Sequence, residues 1–281
     1  MEAASRLTVA DHSRDCAGLT YVYPVVSRRA KGVSLGINLN PNNACNWQCV
    51  YCQVPGLVRG NAPPIDLQVL ERELRQMLDA ICLGDYLAQH APPDSQALRD
   101  IAFSGNGEPT SAKEFAEAVQ LVARIRADYD IASEVKTRLI TNGSLLHQPS
   151  VQEGISILEA ISGEVWFKLD TPDPARARYI NGTPRQTSRH IANLLTCAQL
   201  CPTWVQTCLF RTGGELSLGD PLRYADLLAP LAPHIRGVLL YGLARPSMQS
   251  SASLLEQATP EDFNSIAQVL RNRGISVQIT P

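Results

Sequence analysis

A chain of 281 residues with 25 Lys and Arg against 27 Asp and Glu carries a formal charge of −2, which excludes the overall basic field that draws nucleic acid without a local site. The length suits a single domain over residues 1–281, with a core at about 30–245, an N-terminal extension at 1–29 and further strand and helix elements at 246–281. No stretch approaches the ~18 uninterrupted apolar residues of a membrane span, and MEAASRLTVADHSRD lacks the apolar core of a leader, so a cytoplasmic protein is expected, with no membrane partner. In reducing surroundings its eight cysteines are free thiols or metal ligands and not disulfides.

In chain order, the run VSLGINL at 33–39 reads as a strand, and a cysteine-rich loop follows it directly. IDLQVLERELRQMLDAIC then places Leu67, Leu70, Leu74, Met77, Leu78 and Ile81 on one helical stripe, with Asp66 as cap. The same unit recurs as DIAFSG with a helix over 111–127, KTRLITNG with 148–161, EVWFKLD with a helix near 187–199, and TWVQTCLF with 220–231. It recurs once more as GVLLYGL and a helix opened by TPEDF, where Thr259 caps and Pro260 takes the first turn, before ISVQI adds a last strand. Six alternating units predict an α/β fold on a parallel sheet, and leave open whether the sheet closes. Excursions are expected at 84–99 and 243–258; the second leaves a strand at its C-terminal end, and reads either as a substrate lid or as a solvated loop.

The loop NACNWQCVYCQ spaces Cys45, Cys49 and Cys52 as C-x3-C-x2-C, with no fourth cysteine nearby. Structural zinc wants four protein ligands, whereas three thiolates on a 4Fe-4S cluster leave one iron open to a small molecule. Short cysteine clusters also make zinc knuckles and ferredoxin-like sites, so other parts of the chain must agree. In SGNGEPT, Gly105 and Gly107 allow close backbone approach to a ligand, and Glu108 offers a carboxylate to a charged amino group. In WFKLD, strand alternation puts Trp166, Lys168 and Asp170 on the face opposite Phe167 and Leu169. The polar face points inward, where Lys168 and Asp170 either satisfy each other or serve the reaction.

On the next strand Gln206 and Cys208 share a face, and Lys168, Asp170 and Cys208 are the catalytic candidates. Arg211 and Arg245 follow strand ends, each either meeting an anionic substrate or lying on the surface. Cys197, Cys201 and Cys208, spaced C-x3-C-x6-C across a helix and a strand, read as core thiols before they read as an auxiliary cluster. The five histidines match no metal spacing.

The cysteine loop, with Tyr51 before its last cysteine, and SGNGEPT one unit later together resemble the radical S-adenosylmethionine (SAM) superfamily. That resemblance implies a partial (β/α)6 TIM-like barrel and a 4Fe-4S cluster on Cys45, Cys49 and Cys52, whose fourth iron is chelated by the amino and carboxylate groups of SAM. It implies cofactor contacts from Tyr51 and from Gly105, Asn106, Gly107 and Glu108, where Asn106 replaces the first glycine of a Gly-Gly-Glu segment. It extends them to Thr141, Asn142 and Ser144 of TNGS, a segment that otherwise reads as a turn. The stretch from Tyr21 to Gln53, with Ser27, Arg28, Arg29 and Gly36, is similar over its length to an iron-sulfur oxidoreductase group of that superfamily, often placed beside the wyosine-forming tRNA enzymes.

The implied chemistry is reductive cleavage of SAM to a 5′-deoxyadenosyl radical that abstracts hydrogen, fed by an external electron donor such as flavodoxin or ferredoxin. The substrate stays open: a small molecule, peptide or protein on one reading, tRNA on another. The tRNA reading expects basic residues round the barrel mouth, with Arg28, Arg29, Lys31, Arg176, Arg178 and Arg185 as candidates. A third reading is a non-catalytic zinc or electron-transfer protein.

Overall fold

In the computed structural model, which describes residues 7–8, 17–184 and 186–281, eight strands pair side by side in chain order. They are β1 (Val22–Ser27), β2 (Gly32–Ile37), β3 (Leu98–Phe103), β4 (Lys136–Thr141), β5 (Gly163–Lys168), β6 (Thr203–Cys208), β7 (Gly237–Tyr241) and β8 (Val277–Thr280). From β2 to β8 every pairing is parallel, as the alternation of strand and helix requires. β1 and β8 are the two ends of the order, so the sheet does not close. Residues from all eight strands nevertheless line one cavity, which makes it a curled partial barrel.

The helices are α1 (Leu67–Leu78), α2 (Tyr86–His90), α3 (Phe115–Asp128), α4 (Pro149–Ala160), α5 (Pro174–Asn181), α6 (Thr187–Leu200), α7 (Pro221–Leu228) and α8 (Pro260–Arg271). Their starts follow side-chain chemistry: Asp66 accepts from the Gln68 and Val69 amides, and Thr259 with Asp262 forms a capping box on α8. The expected helices all form, within a few residues of their predicted ends. α5 was not predicted; Asp173 caps it, and Gly182, with φ +66°, ends it in the left-handed conformation. Outward strand residues such as Leu35, Phe103, Leu139, Phe167 and Val205 pack under the helices in one apolar core. No helix among the described residues is long and apolar enough to cross a membrane.

The segment expected as an N-terminal extension contributes β1, an antiparallel edge strand that tolerates Pro24 because an edge leaves some amides unused. Two contacts seat it. Tyr23 faces Gly36 across the pair, where a Cβ would stand 2.2 Å from the ring, and its Oη reaches Ser104 Oγ at 3.0 Å. Glu73, buried within the apolar stripe of α1, accepts from the amides of Thr20, Tyr21 and Val22 at 2.8, 2.7 and 3.2 Å. Glu73→Ala therefore strands three amides and is expected to cost ~3 kcal/mol in urea unfolding, with Glu73→Gln recovering part of it. A loss within ~0.5 kcal/mol, as for an ordinary surface change, would show that β1 is not held this way.

Candidate active site

The cysteine loop leaves β2 with almost no regular structure of its own, only a two-residue pairing of Ala44–Cys45 with Val58–Arg59. Side chains supply much of its order, and the Gln48 and Val50 amides donate to the Asn181 and Ile180 carbonyls of α5 at 2.9 and 2.8 Å. Asn38 Oδ1 accepts from the Asn40 and Asn106 amides, both at 3.0 Å, and Asn40 Nδ2 donates to the Ala44 carbonyl at 3.0 Å. Cys45, Cys49 and Cys52 are all half-buried and unbridged. The Trp47 amide points at Cys45 Sγ and Asn181 Nδ2 at Cys49 Sγ, each at 3.4 Å, donors suited to thiolates. Burial pushes the Cys45 thiol up to about 12 and the Cys49 thiol up to about 11, so ligation needs the positive charge a metal brings. Among the described residues, no three Cys, His, Asp or Glu side chains converge as ligands of one ion; a cubane asks instead that each thiolate reach a different iron.

The SGNGEPT segment lies against this loop because it has glycines. A Cβ on Gly107 would stand 2.0 Å from the carbonyl oxygen of Ala44, the residue before Cys45, and one on Gly105 would stand 2.3 Å from Asn38 Oδ1. Both glycines line the cavity, while the buried Asn106 Oδ1 between them has no hydrogen-bond partner. Glu108 is buried and engaged elsewhere. Its Oε1 accepts from Thr110 Oγ1 and Thr141 Oγ1, both at 2.6 Å, and its Oε2 from the Asn142 amide at 2.6 Å. Burial raises its carboxyl above the usual range against these bonds.

Asn142 and Ser144 in turn hold Asn46, inside the cysteine motif: Asn142 Nδ2 donates to Asn46 Oδ1 at 2.7 Å, and Asn46 Nδ2 to Ser144 Oγ at 2.8 Å. Glu108, Thr141, Asn142 and Ser144 thus join the loops after β3 and β4 to the cysteine loop, and none of the four lines the cavity. Asn46 escaped the sequence reading; its place between Cys45 and Cys49 was the only signal.

The cavity, of about 300 Å³, opens beside Tyr51 and Cys52 and runs between the strands. Alternation on β5 is as predicted, with Phe167 and Leu169 fully buried in the core and Trp166 and Lys168 on the cavity. Asp170, with no exposed surface, accepts from Tyr51 Oη at 2.6 Å, Asn181 Nδ2 at 2.8 Å and the Cys208 amide at 3.0 Å. Lys168 Nζ stands 3.9 Å from Asp170 and donates to Tyr51 Oη at 2.7 Å and Tyr241 Oη at 2.8 Å. Burial alone lowers the Lys168 ammonium, but Asp170 and Tyr241 outweigh it and hold it above the usual lysine range. Cys208 lines the same cavity, and burial pushes its thiol up.

Cys197 and Cys201 sit in the main core while Cys208 lies with Val50, Tyr51 and Phe210, so the three thiols form no auxiliary site. Arg211 turns away from the cavity to a two-point pair with Asp262 at 2.6 and 2.8 Å. The 243–258 segment is a clamp on the cysteine loop: Ser247 Oγ donates to the Val50 carbonyl, Gln249 Nε2 to those of Cys52 and Val54, and Arg245 to Gln53 Oε1. Pairing of Glu256–Gln257 with Phe210–Thr212 anchors its far end. Of the basic residues expected round the mouth, Arg176 and Arg178 stand on α5, whose Ile180 and Asn181 carbonyls meet the cysteine loop, while Arg28, Arg29 and Lys31 lie in the turn between β1 and β2. Arg28 and Arg29 leave the turn that precedes β2, Arg28 donating to the Pro281 carbonyl and Arg29 entering the cavity; Arg176 pairs with Glu215, and Arg185 lies outside the described residues.

Residues 39–228 match the family model described as the radical SAM superfamily. A UPF0026 protein of Helicobacter pylori is 30% identical over 152 residues, 53% of this chain and 42% of that one; the chain therefore spans less than half the length of that relative. Among solved structures, TYW1 with a lysine-pyruvate adduct bound superposes with a TM-score of 0.56 at 17% identity, covering 86% of this chain and 74% of that one. Streptococcus suis SuiB bound to S-adenosylmethionine gives 0.55 at 13%, covering 90% and 49%. At such identities the likeness is one of fold, a partial barrel.

Two substitutions probe the geometry. Gly107→Ala drives a methyl into the Ala44 carbonyl, and is expected to keep the wild-type far-UV circular dichroism while retaining several-fold less iron after anaerobic reconstitution; wild-type iron content would show that the two loops need not touch. Asp170→Asn leaves Lys168 without its counter-charge and is expected to cost ~3 kcal/mol in urea unfolding. A cost within ~0.5 kcal/mol would show the pair to be energetically idle.

Proposed function

The chain belongs to the radical SAM superfamily, and we propose that it is an enzyme whose Cys45, Cys49 and Cys52 hold the 4Fe-4S cluster of that superfamily, with SAM on the open iron and substrate in the barrel. What carries this reading is three half-buried thiols on one loop, set against a glycine cradle at the end of a cavity. The residues present fit the cofactors. The thiols face amide donors, a Cβ would fill the cradle of Gly105 and Gly107, and the orphaned Asn106 Oδ1 is an acceptor for the SAM ammonium. When bound, the cluster and SAM supply the chemistry, reductive cleavage to methionine and a 5′-deoxyadenosyl radical that takes a hydrogen atom from substrate.

The chain's own part is placement. Glu108 sets the loops after β3 and β4 in register with the cysteine loop, and Asn142 and Ser144 fix Asn46 within it. Lys168 bridges the hydroxyls of Tyr51 and Tyr241 at the cavity wall, with Asp170 keeping it charged. The clamp at 245–249 holds the loop closed over the strand ends, which favours exclusion of water from the reacting atoms. An external donor such as flavodoxin or ferredoxin delivers the electron. An interior cavity favours a small molecule or a single protruding group as substrate. The tRNA reading keeps Arg176 and Arg178, on α5 beside the cysteine loop, while Arg28 and Arg29 stand on the N-terminal side of β2.

The test is anaerobic reconstitution, reduction with dithionite, addition of SAM and measurement of 5′-deoxyadenosine. The wild type is expected to form it and Cys49→Ala to form none. Equal yields from the two, or a preparation that takes up zinc and no iron, would overturn the assignment.

A further inference from the structure

The cavity is more basic than a chain of charge −2 suggests. Arg28, Arg29, Arg138, Lys168 and Arg245 line it against the single carboxylate of Asp100. Asp170 and Glu164 pair with Lys168 and Arg138 from behind the lining, and cations still outnumber carboxylates five to three. An enclosed, weakly polarisable space strengthens such an excess.

Two donors on this lining lack a partner. Arg29 enters from the β1–β2 turn and stacks on two rings, its Cζ 4.6 Å from the centroid of Trp166 and 5.1 Å from that of Tyr241, and its buried Nη1 makes no hydrogen bond. Gln206, only 2% exposed and level with Lys168 in the sheet, has a buried Nε2 equally without a partner. A buried donor without an acceptor is costly, and a buried cation more so. Both atoms want an acceptor, and the surplus of positive charge selects a negative one. Trp166 lies two residues before Lys168 on β5, so the end of this place where Arg29 stacks on Trp166 is ~7 Å further along the strand from the cysteine loop than Lys168, while Gln206 stands at the level of Lys168 itself.

We propose that the inner cavity is a subsite for an oxyanion, a carboxylate or phosphate group of a small-molecule substrate, held by Arg29 and Gln206 between Trp166 and Tyr241. That this anion belongs to the substrate rests on the enzyme reading above; the subsite itself does not. Guanidinium and amide bind the acid group at the inner end, which directs the rest of the molecule back toward Lys168 and the cysteine loop.

The reconstituted chain is titrated anaerobically with sodium acetate and, separately, with inorganic phosphate, at ionic strength fixed with chloride, and tryptophan fluorescence is followed. A saturable change is expected with at least one, and the stronger response tells carboxylate from phosphate. Arg29→Gln is expected to weaken that binding roughly tenfold, and Gln206→Leu several-fold, with circular dichroism and iron content unchanged. If Arg29→Gln fails to fold, Gln206→Leu decides. No saturable response to either anion, or binding that neither substitution weakens, overturns the subsite. Abolition of the response by saturating SAM assigns the site to the cosubstrate and equally overturns the proposal. Measuring 5′-deoxyadenosine on the same preparations separates the two readings: product without Arg29-dependent anion binding sinks the subsite alone, and anion binding without product sinks the enzyme reading alone.

Discussion

The carboxylate of Asp170 has no exposed surface, and a charge in that position is tolerable only with several partners. Those partners come from separate parts of the chain: Tyr51 from the cysteine loop, Asn181 from α5, the Cys208 amide from β6, and Lys168 from the same strand end. None of them can move far without exposing the carboxylate to an unbalanced interior. Asn181 also reaches Cys49 Sγ, so the same node that fixes the strand ends fixes one of the three thiols. A loop with hardly any backbone pairing is in this way given a definite shape by the sheet beneath it.

The other side of the loop is fixed by contact distance. Gly107 allows the loop after β3 to touch Ala44, and Glu108 carries the order on to Asn142 and hence to Asn46. The clamp at 245–249 covers the remaining edge with bonds to the carbonyls of Val50, Cys52 and Val54. Polar side chains that a sequence motif suggests as ligand contacts are therefore spent on positioning backbone. Among the groups left facing the cavity are the glycines, Tyr51, Lys168, Tyr241, Arg29 and Gln206. Arg28 and Arg29 at one end and thiols at the other give that space a direction, which suits presenting one part of a substrate to a reactive centre.

Local rules made much of this legible. Asp66 and Thr259 announced their helices because an N-cap acts within three residues of itself. The alternation from Trp166 to Asp170 showed which side chains enter the barrel, since a strand has only two faces. β1 was missed because YPVVS has no alternation and carries a proline, and its support comes from Glu73, some fifty residues away and hidden in an apolar stripe. α5 was missed because PARARYIN is short and largely polar. The 243–258 segment was read as a lid or a free loop because its bonds go to backbone carbonyls some 195 residues earlier, and a carbonyl leaves no mark in a sequence. Arg29 stood in a recognised triplet, yet nothing in that triplet tells a surface guanidinium from one stacked inside on Trp166 and Tyr241.

The central claim is that a loop with three thiols and no fourth leaves one iron for SAM. The most direct measurement is the electron paramagnetic resonance spectrum of the reduced, reconstituted protein before and after SAM is added. A shift of the cluster's g-values on addition, with SAM bound in proportion to cluster, is the predicted result. A spectrum of a fully loaded cluster that saturating SAM leaves unchanged would contradict it.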